Sequence, residues 1–280
     1  MSLLKNIGEF NGVKLSVLQL HLSDVQTGGN KLFKLKYNLE DARLKGHDTL
    51  LTFGGAYSNH IAATAAAGKR AEFKTIGIIR GEKISPLNKT LKRAADNGMH
   101  LQFVSREQYR QKEEPLFIER LKARHGNFYL LTEGGSNELA VKGCKEIVSQ
   151  IGIDFDYIVC PTATGATLTG IALSLLPSQQ AVGICVLNNK VQIENFVNGY
   201  IKKNEQQQPE IIADYTFNGY AKSNDALNQF VKTFTDSFKI RIEPIYTGKM
   251  FYGLFDLIGK NYFKAGSHVI AVHTGGLQYL

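Results

Sequence analysis

The most informative part of this sequence is one short stretch, Gly28-Gly29-Asn30-Lys31-Leu32-Phe33-Lys34-Leu35-Lys36-Tyr37. Apolar residues at helical spacing predict an amphipathic helix that starts near Lys31, with a buried face formed by Leu32, Leu35, Leu39 and Ala42. A lysine in a helix is usually a solvated residue. The partial positive charge of a helix N-terminus, however, disfavours the ammonium form, and the free amine is the form that condenses with an aldehyde. The two glycines permit a tight turn and a close approach of the backbone to a ligand. The stretch therefore predicts an imine-forming lysine.

Composition limits the class of protein. The chain has 280 residues, of which 43% are hydrophobic and 21% charged, as expected for a globular protein of about two domains. It shows neither a signal-peptide layout nor an apolar run that could cross a bilayer. Three scattered cysteines (Cys144, Cys160 and Cys185) without metal-ligand spacing indicate a reducing compartment. We therefore expect a cytoplasmic protein with no metal site and no membrane partner.

The net charge of +8 raises the question of nucleic-acid binding. The basic residues are dispersed, and no helix-turn-helix, zinc finger or aromatic-basic platform accompanies them. A positive surplus also suits an enzyme with an anionic cofactor and substrate. We therefore expect no nucleic-acid partner.

Strands alternate with helices along the chain, which predicts an α/β fold with a mostly parallel sheet and helices on both faces. The predicted strands are 48–53, 74–80, 99–104, 128–132, 157–161, 181–187, 240–242 and 268–273. The predicted helices after the first are 58–68, 86–97, 116–124 and 137–151.

Two further loops lie where an α/β fold builds its sites, between a strand and the next helix. The first, residues 54–60, reads Gly-Gly-Ala-Tyr-Ser-Asn-His and offers free N–H groups, a hydroxyl and an amide that suit a carboxylate or an anionic ring oxygen. Ser58 is also a good helix N-cap, which alone accounts for a serine there. The second, residues 162–170, is rich in threonine and glycine and suits phosphate oxygens, although it is neither a Walker loop nor a GxGxxG motif.

These loops, in this order, resemble the pyridoxal-phosphate enzymes of the tryptophan-synthase-β fold type. Within them, the chain resembles the 1-aminocyclopropane-1-carboxylate deaminase/D-cysteine desulfhydrase family. Five ordered motifs between Leu15 and Leu277 carry the resemblance: Gly-Gly-Asn-Lys-x-x-Lys-Leu, Gly-x-x-Ser-Asn-His, Thr-Gly-x-Thr, Pro-Ile-Tyr-Thr-Gly-Lys and His-Thr-Gly-Gly. The resemblance implies a large domain (1–45 with 137–280), a small domain (46–136), the cofactor pyridoxal 5'-phosphate between them, and a homodimer.

The resemblance also implies roles for individual residues. Lys31 would hold the cofactor covalently and then move the α-proton of the substrate, with Ser58 and Tyr246 as the other catalytic residues. Lys34 would bind the phosphate together with the amides of 164–167, and Asn59 would bond the ring oxygen. The implied cofactor-binding residues are Lys31, Lys34, Asn59, Thr164, Gly165, Ala166, Thr167, Thr247 and Thr274. The implied substrate-binding residues are Ser58, Asn59, His60, Tyr220 and Tyr246. Without the resemblance, Tyr246 is a packing tyrosine.

Three positions distinguish activities within the family. Ring-opening deaminases resemble one another in carrying Glu at the place of Thr247, Leu at the place of Thr274 and Gln at the place of His60. A carboxylate beside the pyridine nitrogen favours its protonated form, whereas a threonine hydroxyl brings no charge. The resemblance therefore implies α,β-elimination on a D-amino acid, foremost D-cysteine, giving pyruvate, sulfide and ammonia.

Other functions stay open at this point. A 1-aminocyclopropane-1-carboxylate deaminase is the runner-up, and a racemase or dehydratase of the same fold type is a further alternative. A non-catalytic cofactor-binding or nucleic-acid-binding protein is the alternative from another class. The segment Leu20-His21-Leu22-Ser23-Asp24 departs from the acidic Lys-Arg-Asp-Asp-like run of the family, and the chain ends soon after His-Thr-Gly-Gly. We expect these departures to affect substrate choice.

Overall fold

The computed structural model describes residues 3–24, 28–83 and 85–277, and these form an α/β fold with two sheets. The strands are Leu4–Phe10 (β1), Val13–Gln19 (β2), Thr49–Gly55 (β3), Lys74–Arg80 (β4), His100–Val104 (β5), Tyr129–Leu131 (β6), Tyr157–Thr162 (β7), Gln180–Cys185 (β8), Glu210–Ile212 (β9) and His268–His273 (β10). The α-helices are Asn30–Leu44 (α1), Asn59–Arg70 (α2), Lys89–Asp96 (α3), Arg106–Arg110 (α4), Pro115–His125 (α5), Glu138–Cys144 (α6), Ala166–Ala172 (α7), Lys190–Ile201 (α8), Asp225–Phe238 (α9) and Thr247–Gly259 (α10).

The larger sheet has six strands in the order β1-β2-β10-β7-β8-β9, and only the β1–β2 hairpin is antiparallel. Its central strands are continuous apolar runs because helices cover both faces, as in other buried parallel sheets. In β10, Val269, Ile270, Ala271 and Val272 are all inaccessible to solvent. The predicted mostly parallel sheet is therefore confirmed.

The smaller sheet has four parallel strands in the order β5-β4-β3-β6, all of them within residues 49–131. All strands of the larger sheet lie in residues 4–19 and 157–273. The strands of the smaller sheet thus lie between the predicted boundaries at 46 and 136, and the strands of the larger sheet lie outside them. The two-domain division is kept as a proposal. The outer bounds of that division, residues 1 and 280, lie outside the described residues.

Helix α1 connects the two parts of the chain and packs against α6. A side chain at Gly143 of α6 would place its Cβ 1.9 Å from the carbonyl oxygen of Phe33, so only glycine allows this approach. The buried face of α1 contains Leu35 and Ala42, as predicted, whereas Leu32 and Leu39 are only half-buried. Contact with α6 therefore fixes the helix that carries Lys31.

One sequence prediction of secondary structure is wrong, and a second is confirmed only in part. Residues 240–242 are not a strand: Ile240 and Ile242 are buried, but the carbonyl of Arg241 accepts a hydrogen bond from the side chain of His273 at 2.8 Å. The same alternation of apolar and polar residues occurs in an irregular segment that buries every second side chain. The predicted helix 137–151 is α-helical only over Glu138–Cys144 and continues as a 3-10 helix over Lys145–Gln150. Within the described ranges, no helix is long and apolar enough to cross a membrane.

Candidate active site

A cavity of about 330 Å³ opens where the carboxyl ends of parallel strands from both sheets meet, the usual place for a site in an α/β fold. Gly55 ends β3, Arg80 ends β4, Thr162 ends β7, and Thr274 follows β10. The predicted site residues that line this cavity are Lys31, Lys34, Ser58, Asn59, His60, Thr164, Gly165, Thr167, Tyr220, Tyr246 and Thr274. Two others, Ala166 and Thr247, are fully buried and do not line it. The structure therefore gathers most of the predicted residues at one place.

Lys31 is the second residue of α1, and its amine is held at the cavity. Its Nζ donates to Asn30 Oδ1 at 3.0 Å, and Asn30 Nδ2 donates to Thr167 Oγ1 at 2.8 Å. The pKa of Lys31 is lowered to about 7, mainly by burial and secondarily by the charge of Lys34. The amine is thus substantially neutral near pH 7, which is the state required of a nucleophile or base.

Gly29 makes the tight turn that the sequence predicts, but the close approach that it permits is to another part of the backbone. Gly29 has φ of 89°, and a Cβ there would lie 2.0 Å from the carbonyl oxygen of Thr274. That same oxygen accepts a hydrogen bond from Asn30 N at 3.1 Å. The close approach made by Gly29 is therefore to the backbone after β10, and it ties the start of α1 to that loop.

Lys34, one turn after Lys31, forms a cationic cradle with two hydroxyls. Its Nζ donates to Gly134 O at 3.1 Å, Ser136 Oγ at 3.3 Å and Thr164 Oγ1 at 3.3 Å. The residue is 3% exposed, and burial lowers its pKa. A desolvated ammonium beside rotatable hydroxyls suits a phosphate group, which offers only acceptor oxygens at its periphery. Ser136 and Gly134 were not predicted from the sequence.

The turn into α2 places Ser58 and Asn59 at the cavity. Ser58 caps the helix, since its hydroxyl accepts from Ile61 N at 3.4 Å, and its own N–H donates to Gly55 O at 3.0 Å. The capping role that the sequence indicates for Ser58 is therefore present. Its hydroxyl proton is left to donate, because capping uses only an acceptor lone pair.

His60 is buried, and its hydrogen bonds define its tautomer. Thr52 donates its hydroxyl proton to Leu131 O at 3.0 Å, so the 2.9 Å contact between Thr52 Oγ1 and His60 Nε2 requires a proton on Nε2. Nδ1 is then an acceptor, and it has no partner among the described residues. Burial holds the pKa of His60 well below its usual range, with Lys31 and Lys34 adding to the effect. A neutral acceptor does not attract a carboxylate, so this geometry argues against the carboxylate-binding role expected of His60.

Two tyrosines enclose the opposite side of the cavity. The rings of Tyr220 and Tyr246 meet edge to face, with centroids 6.2 Å apart. Burial raises the pKa of Tyr220, and a hydrogen bond accepted from Tyr246 acts against this rise. The loop of Tyr220 is anchored by Lys249, whose buried Nζ donates to Gly219 O at 2.6 Å, Thr216 O at 2.8 Å and Val186 O at 3.2 Å.

Sequence reasoning missed the buried carboxylate of Glu243. It accepts hydrogen bonds from Ile245 N at 2.6 Å, Tyr246 N at 3.0 Å, Thr247 N at 2.8 Å and Thr247 Oγ1 at 3.1 Å. Burial raises its pKa to about 7, against the effect of these bonds. An acidic residue shortly before the first turn of α10 is the signal that could have identified it as a helix cap.

The Glu243 network also changes the role available to Thr247. The Thr247 hydroxyl donates its only proton to Glu243 Oε1 and accepts from Glu243 N at 3.2 Å. A Cβ at Gly276 would lie 3.4 Å from the same Oε1 and 2.7 Å from Asn59 Nδ2, so the carboxylate and the predicted cofactor residue Asn59 both border Gly276. Thr247 is thus a buried part of this turn, and the carboxyl group of Glu243 lies behind it.

Comparison with known proteins gives a consistent result. Residues 3–275 match the family described as "Pyridoxal-phosphate dependent enzyme". A Pyrococcus abyssi protein, provisionally named a 1-aminocyclopropane-1-carboxylate deaminase, is 30% identical over 293 residues, covering 95% of this chain and 85% of the relative. The D-cysteine desulfhydrase of Salmonella choleraesuis is 24% identical over 302 residues, covering 99% of this chain and 91% of the relative.

Solved structures confirm the fold. An "ACC deaminase homologue" superposes with a TM-score of 0.84 at 28% identity, covering 96% of this chain and 86% of that one. A hydrogen sulfide-producing enzyme from Fusobacterium nucleatum shares the fold with a TM-score of 0.71 at 16% identity, covering 99% of this chain and 96% of that one. The chain therefore belongs to the pyridoxal-phosphate-dependent enzymes, in the lyase family of the 1-aminocyclopropane-1-carboxylate deaminases and D-cysteine desulfhydrases, and its cofactor is pyridoxal 5'-phosphate.

Proposed function

We propose that the enzyme catalyses α,β-elimination on a D-amino acid and that D-cysteine is the first substrate to test. The Cα–H and Cβ–S bonds break, the electron pair leaves with sulfur, and addition of water yields pyruvate, ammonia and sulfide. Thr247, Thr274 and His60 match the pattern that the family resemblance associates with elimination. The name of the Salmonella relative supports the same choice.

The single observation that carries the proposal is the Lys31 amine. Lys31 and the Lys34 cradle lie one helical turn apart on α1 and line the same cavity. A cofactor with an aldehyde and a phosphate needs an amine and an anion site at such a separation. The lowered pKa of Lys31, about 7, supplies the amine near neutral pH.

The residues that line the cavity fit this cofactor. The cofactor and the side chains would then have separate roles in the reaction. When bound, the cofactor supplies an electron-withdrawing ring that takes up the negative charge left on the substrate by proton removal. Lys31 Nζ removes the α-proton as general base, which in other enzymes contributes roughly 10²–10⁴-fold. Ser58 and Asn59 hold the substrate carboxylate with a hydroxyl and an amide, and Tyr246 with Tyr220 excludes water from the covered side.

One observation favours a second candidate, the 1-aminocyclopropane-1-carboxylate deaminase. Position 247 lacks the glutamate that the resemblance associates with this activity. Glu243 nevertheless places a carboxyl group directly behind the Thr247 hydroxyl, which donates to its Oε1 at 3.1 Å. Because Thr247 donates to that carboxylate, its hydroxyl can only accept toward any further group. When Glu243 is ionised, which its pKa of about 7 allows at and above neutral pH, an acceptor backed by that charge favours a protonated nitrogen.

The test is a parallel assay of cofactor-loaded protein with D-cysteine, L-cysteine and 1-aminocyclopropane-1-carboxylate. Pyruvate and sulfide from D-cysteine alone support elimination. A keto acid from the cyclopropane substrate supports the second candidate and contradicts the first. If none of the three substrates gives a product, both proposed activities are wrong, and other amino acids should be tested.

A matched pair of variants tests the role of Lys31. Lys31→Ala is expected to lose covalent attachment of the cofactor and at least about 10³-fold in turnover. Lys36→Ala, an exposed lysine of the same helix, is expected to keep both. If Lys31→Ala still holds the cofactor covalently and turns over D-cysteine at the wild-type rate, the assignment is wrong. The homodimer and the cytoplasmic location stay predictions, to be checked by light scattering and fractionation.

A further inference from the structure

One cationic side chain at the cavity has no role so far. Arg80 ends β4, lines the cavity and is exposed. Its Nη2 lies 3.6 Å from the position that a Cβ of Gly55 would occupy, and Gly55 O accepts the N–H of Ser58 at 3.0 Å. The guanidinium therefore lies next to the loop that we propose to hold the substrate carboxylate.

Within the part of the chain that the structure describes, the side-chain donors of Arg80 make no hydrogen bond to another residue. Among residues 3–24, 28–83 and 85–277, no carboxylate forms an ion pair with it. Glu133, which also lines the cavity, accepts the Tyr109 hydroxyl at 2.8 Å and pairs with Lys112 at 3.5 Å. The carboxylate of Glu133 is thus bound by a hydroxyl from α4 and by an ammonium group from the turn after α4.

Tyr109 holds Arg80 without consuming its N–H groups. The guanidinium carbon lies 5.6 Å from the centroid of the Tyr109 ring, a cation–π distance. Tyr109 is itself buried and fixed through its hydroxyl to Glu133. An arginine backed by an aromatic face keeps its donor fork in the plane of the guanidinium, where it matches a carboxylate in bidentate fashion.

We infer that Arg80 binds a second anionic group of the substrate, so that the preferred substrates are amino acids whose β-substituent ends in a carboxylate. This inference rests on the proposed elimination. The relevant reaction breaks the Cα–H bond and the Cβ–S bond of a carboxylate-bearing thioether. The sulfur leaves with the electron pair, and water converts the remainder to pyruvate and ammonia. No oxidant or reductant is needed.

The test compares two thioethers that differ only in charge, S-carboxymethyl-D-cysteine and its carbamoylmethyl analogue. The wild-type enzyme is expected to prefer the acid by about 10–100-fold in kcat/KM, the usual range for a charge-assisted hydrogen bond. In Arg80→Gln this ratio is expected to fall to about one, and Arg80→Lys, which keeps the charge but not the fork, is expected to fall between. Arg106→Gln, an exposed arginine on α4, serves as the control and should keep the wild-type ratio.

The outcomes separate this inference from the proposed function. Elimination from both thioethers at a wild-type ratio near one overturns the role of Arg80 and leaves elimination standing. An equal loss on acid and amide in Arg80→Gln also overturns it, because Arg80 then acts on the α-carboxylate. If neither thioether nor D-cysteine is cleaved, the proposed function fails. Calorimetric titration of the holoenzyme with the same pair then decides the inference: tighter binding of the acid, lost in Arg80→Gln, supports it, and equal binding overturns it.

Discussion

Lys34 and Lys249 are both buried lysines, yet their surroundings differ in one respect. Lys249 is fully inaccessible and donates to three main-chain carbonyls, which are fixed by the fold. Lys34 donates to one carbonyl and two hydroxyls, and those hydroxyls can turn away and donate elsewhere. A buried ammonium among fixed acceptors stabilises structure, whereas one among adjustable partners at a cavity can bind a ligand.

The largest expected effect is on folding, in Lys249→Met. Three buried carbonyls then lose their donor, and each buried unsatisfied group costs about 1–3 kcal/mol. We expect the free energy of unfolding to fall by about 3 kcal/mol or more in urea denaturation of the apo-protein. Lys34→Met is the matched comparison and should cost less, because Ser136 already donates a hydrogen bond to Thr164 and only the carbonyl of Gly134 loses a fixed donor. Equal losses in the two variants would contradict the distinction.

The next effect is on the cofactor, in Lys34→Met. Loss of a charge-assisted contact to phosphate is expected to weaken binding of pyridoxal 5'-phosphate by about 10–100-fold. Binding of pyridoxal, which lacks the phosphate, should change little. Fluorescence or calorimetric titration of the apo-protein with both compounds gives the answer. A parallel loss for pyridoxal would mean that Lys34 shapes the cavity without contacting phosphate.

Lys31, which lines the cavity, is a third lysine in this comparison, and its reactivity with the cofactor can be measured as a function of pH. The ordinary pKa of a lysine, 10.5, is lowered in Lys31 to about 7, so its reactive amine is lost to protonation only below that pH. The initial rate of covalent cofactor attachment to apo-protein should rise about tenfold per pH unit below pH 7 and level off above it. Stopped-flow absorbance with Lys36→Ala as control measures this. A rate that still climbs between pH 8 and 10 would show an ordinary lysine.

The smallest effect is expected at the surface of the same helix. Lys36 pairs with Glu146 at 2.8 Å, with the two side chains 44% and 34% exposed. Exposed pairs contribute about 0–1 kcal/mol, so Lys36→Ala should shift the urea midpoint only slightly. Salt at 1 M should remove even that difference. If Lys36→Ala lowered the free energy of unfolding as much as Lys249→Met does, the exposure of these lysines would not determine their contribution to stability.

Local patterns in the sequence predicted the fold class and the three loops that border the cavity, whereas the family resemblance supplied the individual roles of the other lining residues, Lys34, Asn59, Tyr220, Tyr246 and Thr274. Apolar runs alternating with helices gave the strands around β3, β4, β7 and β10. The start of an amphipathic helix after Gly28-Gly29 gave Lys31, and turn residues after two strands gave the loops that contain Ser58 and Thr164. Periodicity failed at Ile240 and Ile242, where burial without pairing produces the same alternation.

The missed residues have partners that are distant in sequence. Arg80 depends on Tyr109 for its support, and the Lys34 cradle depends on Gly134 and Ser136, 100 and 102 residues away. No single-sequence pattern links such positions. Glu243 is the exception, since its partners are two to four residues away, and a search for helix caps could have found it.

The place of β10 in the larger sheet has a consequence for biosynthesis. The strand lies between β2 and β7, so β2 gains its parallel neighbour only after residues 268–273 leave the ribosome. At about 5–20 residues per second, the interval from β2 is roughly 10–50 s, during which an apolar strand edge has no native partner. The backbone of Thr274, which anchors Asn30, arrives at the same late moment. A nascent chain therefore completes its cofactor site last, and chaperone binding to the N-terminal hairpin should decline once β10 has been synthesised.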